Sequence, residues 1–186
     1  MTLRKIALMG HPVLLGKAAP VGDPGRPEIQ ALIDDMIETM ADAGGIGLAA
    51  PQVYVGLRLI VACEIKDRAE VAAAGAAPPV RVLVDPEIEP LPDDEVEAAY
   101  EGCLSIPKLR GLVPRHRRVG YRGLDRDGRP VDGLAEGLFA RVLQHEVDHL
   151  DGILYLARMP DLRHLAFESE LRHLEGWLDT EGRGER

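Results

Sequence analysis

Cysteine is nearly absent from this 186-residue chain, which holds only Cys63 and Cys103. A secreted domain stapled by disulfides carries more, so the pair points to an intracellular setting. Aromatic residues make up 4% of the sequence, with a single tryptophan. The core must therefore be built from Leu, Ile, Val and Ala, and nothing suggests a stacking platform for nucleic-acid bases. Positive charge is outweighed as well: Lys and Arg number 22 against 31 Asp and Glu, a formal net charge of −9. Such a chain is repelled by nucleic acid and anionic membranes unless it concentrates a basic patch. Arg110, Arg115, Arg117, Arg118, Arg122, Arg126 and Arg129 crowd one stretch, and the simpler reading of them is a solvated hairpin surface. The opening Met1-Thr2-Leu3-Arg4-Lys5-Ile6 has no long apolar run, so neither signal peptide nor membrane span is expected. A cytoplasmic protein without direct nucleic-acid or membrane binding is the expectation; oligomeric state is open.

What is present suits one domain over residues 1–179, with a disordered tail at 180–186. Ile29, Leu32, Ile33, Met36, Ile37 and Met40 recur at helical spacing and predict a helix from Pro27 to Ala43, ended by Gly44-Gly45. Leu57–Ile65 and Val80–Val84 read as strands, with a surface loop at 72–79 between them. Cys63 falls in the first of these and reads as buried. Asp125-Arg126-Asp127-Gly128 marks a hairpin turn within 118–131. A second helix is expected from Leu134 to Leu150, and a third from an Asp161 N-cap to Leu178. The fold class is α+β: short antiparallel or mixed strands around a central helix, flanked by N-terminal and C-terminal helices.

Chemistry enters with Gln144-His145-Glu146-Val147-Asp148-His149 on that second helix. Positions i and i+4 share a helix face, so both imidazoles can reach one metal ion, with Glu146 placed to handle protons there. Leu138, Val142, His145 and His149 form one stripe, which turns the histidines toward the core. A catalytic site wants a third protein ligand. Zinc proteases of the metzincin type continue H-E-x-x-H-x-x-G-x-x-H, and this chain follows that pattern through Gly152 but has Tyr155 where the last histidine belongs. Cys103, in Glu101-Gly102-Cys103-Leu104-Ser105, would complete a Cys-His-His set suited to zinc or ferrous iron. Taken alone, Cys103 is equally well a small buried residue in a turn. Gly45-Ile46-Gly47-Leu48-Ala49-Ala50-Pro51-Gln52 packs small residues that permit close backbone approach, and Gln52 is an amide donor for a developing oxyanion. On its own that segment is equally a tight turn after the first helix.

Together, these three segments resemble the peptide deformylase family, in the family's order and over roughly residues 3 to 160. His11-Pro12-Val13-Leu14 and Leu112-Val113-Pro114-Arg115 add to the likeness. The resemblance implies an amide hydrolase that removes the formyl group from N-terminal formylmethionine of new polypeptides and releases formate. It implies Cys103, His145 and His149 as metal ligands, with Fe(II) the family habit and Zn(II), Ni(II) or Co(II) as substitutes. Glu146 would move protons, while the Gln52 side chain and the Leu104 N–H would stabilise the oxyanion. Ile46, Gly47, Gly102, Leu138 and Val142 would contact the substrate. The alternatives are another H-E-x-x-H hydrolase, such as a peptidase, and a non-catalytic metal-bearing relative. Arg115 is expected to bridge Glu101 and Asp148. Two departures from many relatives stand out: Arg141 occupies a position at the pocket rim where an aliphatic residue is common, although some branches of the family carry arginine there, and Leu15 replaces a frequent arginine. Transient ribosome contact would fall to Arg163, His164, Arg172 and His173, diluted by Glu168, Glu170 and Glu175.

Overall fold

A computed structural model describes residues 2–65, 78–92 and 95–175. Helix α1 spans Pro27–Asp42, with Pro27 in its first turn and Gly44 just beyond it in a left-handed conformation (φ 64°). Strands β1 (Gly47–Ala49), β2 (Leu59–Cys63) and β3 (Val80–Pro90) follow. Next come β4 (Val96–Cys103), β5 (Ile106–His116), β6 (Arg118–Leu124) and β7 (Pro130–Glu136). Helix α2 covers Gly137–Leu150, and β8 (Leu165–Phe167) comes last. One five-stranded sheet has the order β1-β2-β3-β6-β7; a three-stranded sheet has the order β4-β5-β8. Every pairing in both sheets is antiparallel.

β2 shows why the larger sheet is central. All five of its residues are buried, so its sequence is a continuous apolar run. Its alternation still sorts them: Leu59, Val61 and Cys63 pack with Ile29, Ile33 and Met36 of α1, whereas Ile60 and Ala62 pack with Phe139, Ala140 and Leu143 of α2. Burying a Leu, Ile or Met side chain in this way contributes about 1.5–3 kcal/mol. A third cluster, holding Leu14, Ile106, Val113, Leu154 and Tyr155, lies under the smaller sheet. α2 sits between these layers, and every residue from Val142 to Leu150 is buried.

The α+β class and the central helix are as expected, while several element boundaries are not. Leu134 to Glu136 belong to β7, because they continue the hairpin register with β6 (Gly120↔Leu134, Arg118↔Glu136). The helix begins only at Gly137, whose φ of 59° turns the chain from strand to helix. Among the described residues the long third helix is absent, and its expected end at 176–178 lies outside them. Asp161 does cap, its side chain accepting from the Arg163 N–H at 2.8 Å, but the turn it caps is Leu162–His164 only. Residues 165–167 then pair with the outer edge of β5 (Leu109↔Phe167, Gly111↔Leu165), where open backbone groups need partners. Helix resumes at 171–175. The expected tail, and most of the 72–79 loop, lie outside the described residues. No helix among the described residues is long and apolar enough to cross a membrane.

The arginine-rich stretch is no basic patch. Arg110 pairs with Glu168, Arg122 with Glu87, Arg126 with Asp34 and Arg129 with Asp127. Arg117 meets Glu95 and Glu97. Arg115 departs from the solvated reading altogether, being 6% exposed.

Candidate metal centre

The β4–β5 hairpin brings Cys103 to the end of β4, opposite Ile106, after a register shift between Glu101 and Cys103. Such an irregularity re-aims the side chain that follows it. α2 runs behind, presenting His145 and His149 one turn apart. One ligand atom from each of Cys103, His145 and His149 falls within a 4.8 Å cluster. The Cys103 Sγ lies 3.2 Å from His149 Nε2. His145 turns its other nitrogen away: Nδ1 is 2.9 Å from Glu101 Oε2. That arrangement leaves Nε2 of His145 for the cluster.

The surroundings show what the cluster is suited to hold. Burial, with the nearby charges of His145 and Arg115, keeps His149 well below its usual pKa and hence neutral. Burial works against charge on His145 too, but contacts with Cys103 and Glu101 outweigh it and raise that pKa well above the ordinary value. A thiol, a neutral imidazole and an imidazole that attracts positive charge are the donors a divalent cation takes in exchange for protons. The residues present fit a zinc- or iron-type ion.

Glu146 is 4% exposed and lies beside these groups on the same helix. Its Oε2 is buried without a hydrogen-bond partner, and burial pushes its pKa up to about 7. A carboxyl in that range both accepts and gives up protons near neutrality. A bound cation would shift it back toward the ionised form. Gln52, 1% exposed, sits in a tight turn at Ala50–Val53. Its Oε1 accepts from the Ala49 N–H at 2.8 Å, which fixes the amide with Nε2 facing Ser105 Oγ (3.2 Å) and Cys103 Sγ (3.5 Å). The N-terminal segment clamps both walls: the Ala7 N–H donates to Gln52 O and the Met9 N–H to Ser105 O, each at 2.8 Å.

These groups open onto a cavity of about 340 Å³. Ile46, Gly47, Gly102, Leu104, Leu138 and Val142 line it with Gln52, Cys103, His145 and Glu146, while His149 lies fully buried beside Cys103. The structure thus brings together every candidate metal-ligating, catalytic and substrate-contacting residue named from the sequence. Gly47 is there for space, since a Cβ would collide with the Glu146 carboxylate and come within 2.8 Å of Val142 Cγ1. Gly102 lies under the Arg110 guanidinium, which a Cβ would strike.

Around the cluster runs a buried charge network. Arg115 donates from Nε and NH2 to Glu101 at 2.9 and 3.1 Å, and from NH1 to Asp148 at 2.6 Å, the bridge expected from the sequence. Burial opposes ionisation of Glu101, but hydrogen bonds from His145 and Arg115 prevail and hold its pKa at about 2. Arg158 adds a two-point contact to Asp148, at 3.1 and 2.7 Å. Three partners were not read from the sequence. Tyr155 stacks on His145 with ring centroids 6.1 Å apart; Ser105 accepts from Gln52; Arg141 reaches Glu101 at 2.9 Å. Only the Tyr155 contact had a sequence signal, its place at the end of the interrupted metzincin pattern.

An α+β fold with a Cys-His-His cluster, a buried glutamate and an oriented amide at one cavity defines a metal-dependent hydrolase. The polypeptide deformylase family model matches residues 3–164, and the chain belongs to that family, hydrolases that remove the formyl group from N-terminal formylmethionine. It is 50% identical over 170 residues to peptide deformylase 1 of Bordetella pertussis, across 91% of this chain and 94% of that protein. Peptide deformylase 1 of Xanthomonas campestris pv. campestris is 46% identical over 172 residues, across 92% and 98%. A class I type b peptide deformylase from Acinetobacter baumannii, in a crystal structure with Met-Ala-Ser bound, superposes with a TM-score of 0.76 at 36% identity, covering 85% of this chain and 99% of that one. The actinonin complex of the Synechococcus elongatus enzyme gives 0.74 at 36% identity, covering 96% and 86%.

Proposed function

We propose that this chain deformylates nascent polypeptides with Cys103, His145 and His149 as metal ligands, Glu146 as the proton carrier, and Gln52 with the Leu104 N–H as oxyanion donors. The observation that carries the reading is the convergence of three ligand atoms, from two distant segments, within 4.8 Å at the wall of the cavity that Glu146 lines. A divalent cation there supplies Lewis acidity, activating a water and polarising the formyl oxygen. Fe(II) is the proposed native ion, and Zn(II), Ni(II) and Co(II) suit the same thiolate and imidazole donors.

This chain's own residues do the rest. Glu146 takes a proton from the attacking water on its free carboxylate oxygen and delivers it to the departing amine. Gln52 Nε2, held by the Ala49 contact, donates to the oxygen that gains charge as the formyl carbon becomes tetrahedral. Among the described residues β1 is the end strand of its sheet, pairing with β2, and Ile46 and Gly47 line the cavity, so an extended peptide would add alongside them. Leu138 and Val142 provide apolar wall for the methionine side chain. The peptide bound in the Acinetobacter relative begins with methionine, which supports a methionine-led peptide as the substrate class.

The test is formate release from a formyl-Met peptide, using protein prepared without oxygen and with its metal content measured. One formate per new amino terminus is expected, in proportion to bound metal. No release with iron, zinc, nickel or cobalt would refute the reading. Transient ribosome contact would fall to the basic residues after Pro160. Arg163 is paired with Asp161 there, and Arg110 with Glu168.

A further inference from the structure

Glu101 is the carboxylate that orients His145, and its four acceptor sites are all engaged. Oε1 takes Arg115 Nε and Arg141 NH1, both at 2.9 Å; Oε2 takes Arg115 NH2 at 3.1 Å and His145 Nδ1 at 2.9 Å. A carboxylate offers about four lone-pair positions, so the set is complete and the group cannot swing without losing a partner. Arg141 precedes His145 by one helical turn, and its side chain is 13% exposed. The same guanidinium donates from NH1 to the Val113 carbonyl at 2.8 Å and from NH2 to the Glu97 carbonyl at 2.6 Å. Those carbonyls sit on the β4–β5 hairpin that carries Cys103. Its charge is thereby drawn onto the hairpin, although the residue lines the substrate cavity.

We propose that Arg141 is a positioning residue for the metal centre: it locks the Glu101 carboxylate behind His145 and pins the Cys103 hairpin to the helix that bears both histidines. The proposal rests on the metal reading of Cys103, His145 and His149. An aliphatic side chain at 141 would fill the rim but leave one Glu101 site and two backbone carbonyls without this donor. Lysine keeps the charge but, as a point donor, cannot span all three acceptors.

The test compares wild type, R141L, R141K and R122A, the last removing an exposed guanidinium paired with Glu87 and remote from the cavity. Each is loaded with Zn(II); its affinity is measured by chelator competition and its zinc loss to excess chelator is timed. Visible spectra of Co(II)-loaded samples report the ligand geometry, and melting of the metal-free proteins reports stability. R141L is expected to hold zinc about 10–100-fold more weakly and to release it faster, with an altered cobalt spectrum. R141K is expected to lie between, and R122A to match wild type. Zinc retention by R141L equal to wild type overturns the proposal, whether or not melting falls, since a purely structural role lowers melting alone. If R141L does not fold, R141K against R122A makes the same comparison. Wild type that binds no zinc overturns the metal reading itself.

Discussion

At the scale of single residues, Glu146 is the most exposed to test. It is buried, one oxygen lacks a partner, and it is not among the clustered ligands. Glu146→Gln keeps the shape but carries no proton. Bound metal, measured by elemental analysis, is expected to stay near one per chain while formate release falls by about 10²–10⁴-fold; turnover near wild type would rule out the assigned role. Gln52→Ala makes a complementary case: it removes the Nε2 donor, and with it the Oε1 acceptor of the Ala49 N–H. A fall of about 10²–10³-fold in kcat with little change in metal content is expected from steady-state kinetics. These residues were legible because each sits in a short local pattern: the i, i+4 histidines, the Gly-rich run ending in Gln52, the Gly-Cys pair. Arg141 and Tyr155 were not legible as metal-site partners. What defines them is a contact across 40 positions for Arg141 with Glu101, and a ring stacking for Tyr155 with His145. No local spacing encodes the first, and the second shows only as the residue that ends the interrupted metzincin pattern.

Among the elements, α2 and β1 meet where substrate would lie. Gly47→Ala places a methyl against the Glu146 carboxylate and Val142 Cγ1. β1 is buried and paired with β2, so it cannot retreat freely. The side chains of α2 must give instead. The expected outcome is a folded protein, by circular dichroism, whose deformylation is at least about tenfold slower through a misplaced Glu146. Unchanged kinetics would show that this close approach has no functional weight. α1 was readable almost to the residue, since a wide apolar stripe and Gly44 mark its span. The start of α2 and the C-terminal segment were misplaced for one shared reason. Leu134–Glu136 and Leu165–Phe167 take strand form because β6 and β5 offer them backbone partners, and such pairing across the chain overrides local propensity.

Across the whole molecule, the site is a cross-link between two layers. Cys103 comes from the β4–β5 hairpin and the histidines from α2, while Arg115 joins Glu101 of the hairpin to Asp148 of the helix. Breaking a buried ion pair by removing one partner costs about 3–5 kcal/mol. Arg141 still reaches Glu101 and Arg158 still reaches Asp148, which argues for the lower end, about 3 kcal/mol, in Arg115→Ala. A metal bound only by the folded chain adds its own stabilisation, about 4 kcal/mol when free metal stands a thousandfold above Kd. For a chain of this size that corresponds to a melting temperature about 8–16 °C higher with metal than after chelation. Because Arg115 and the ion join the same two segments, their effects cannot be independent. The gain in melting temperature on adding zinc is therefore expected to be smaller in Arg115→Ala than in wild type, read from paired thermal melts with and without chelator. Equal gains in both proteins would mean that the charge network and the metal ligands hold the layers together separately.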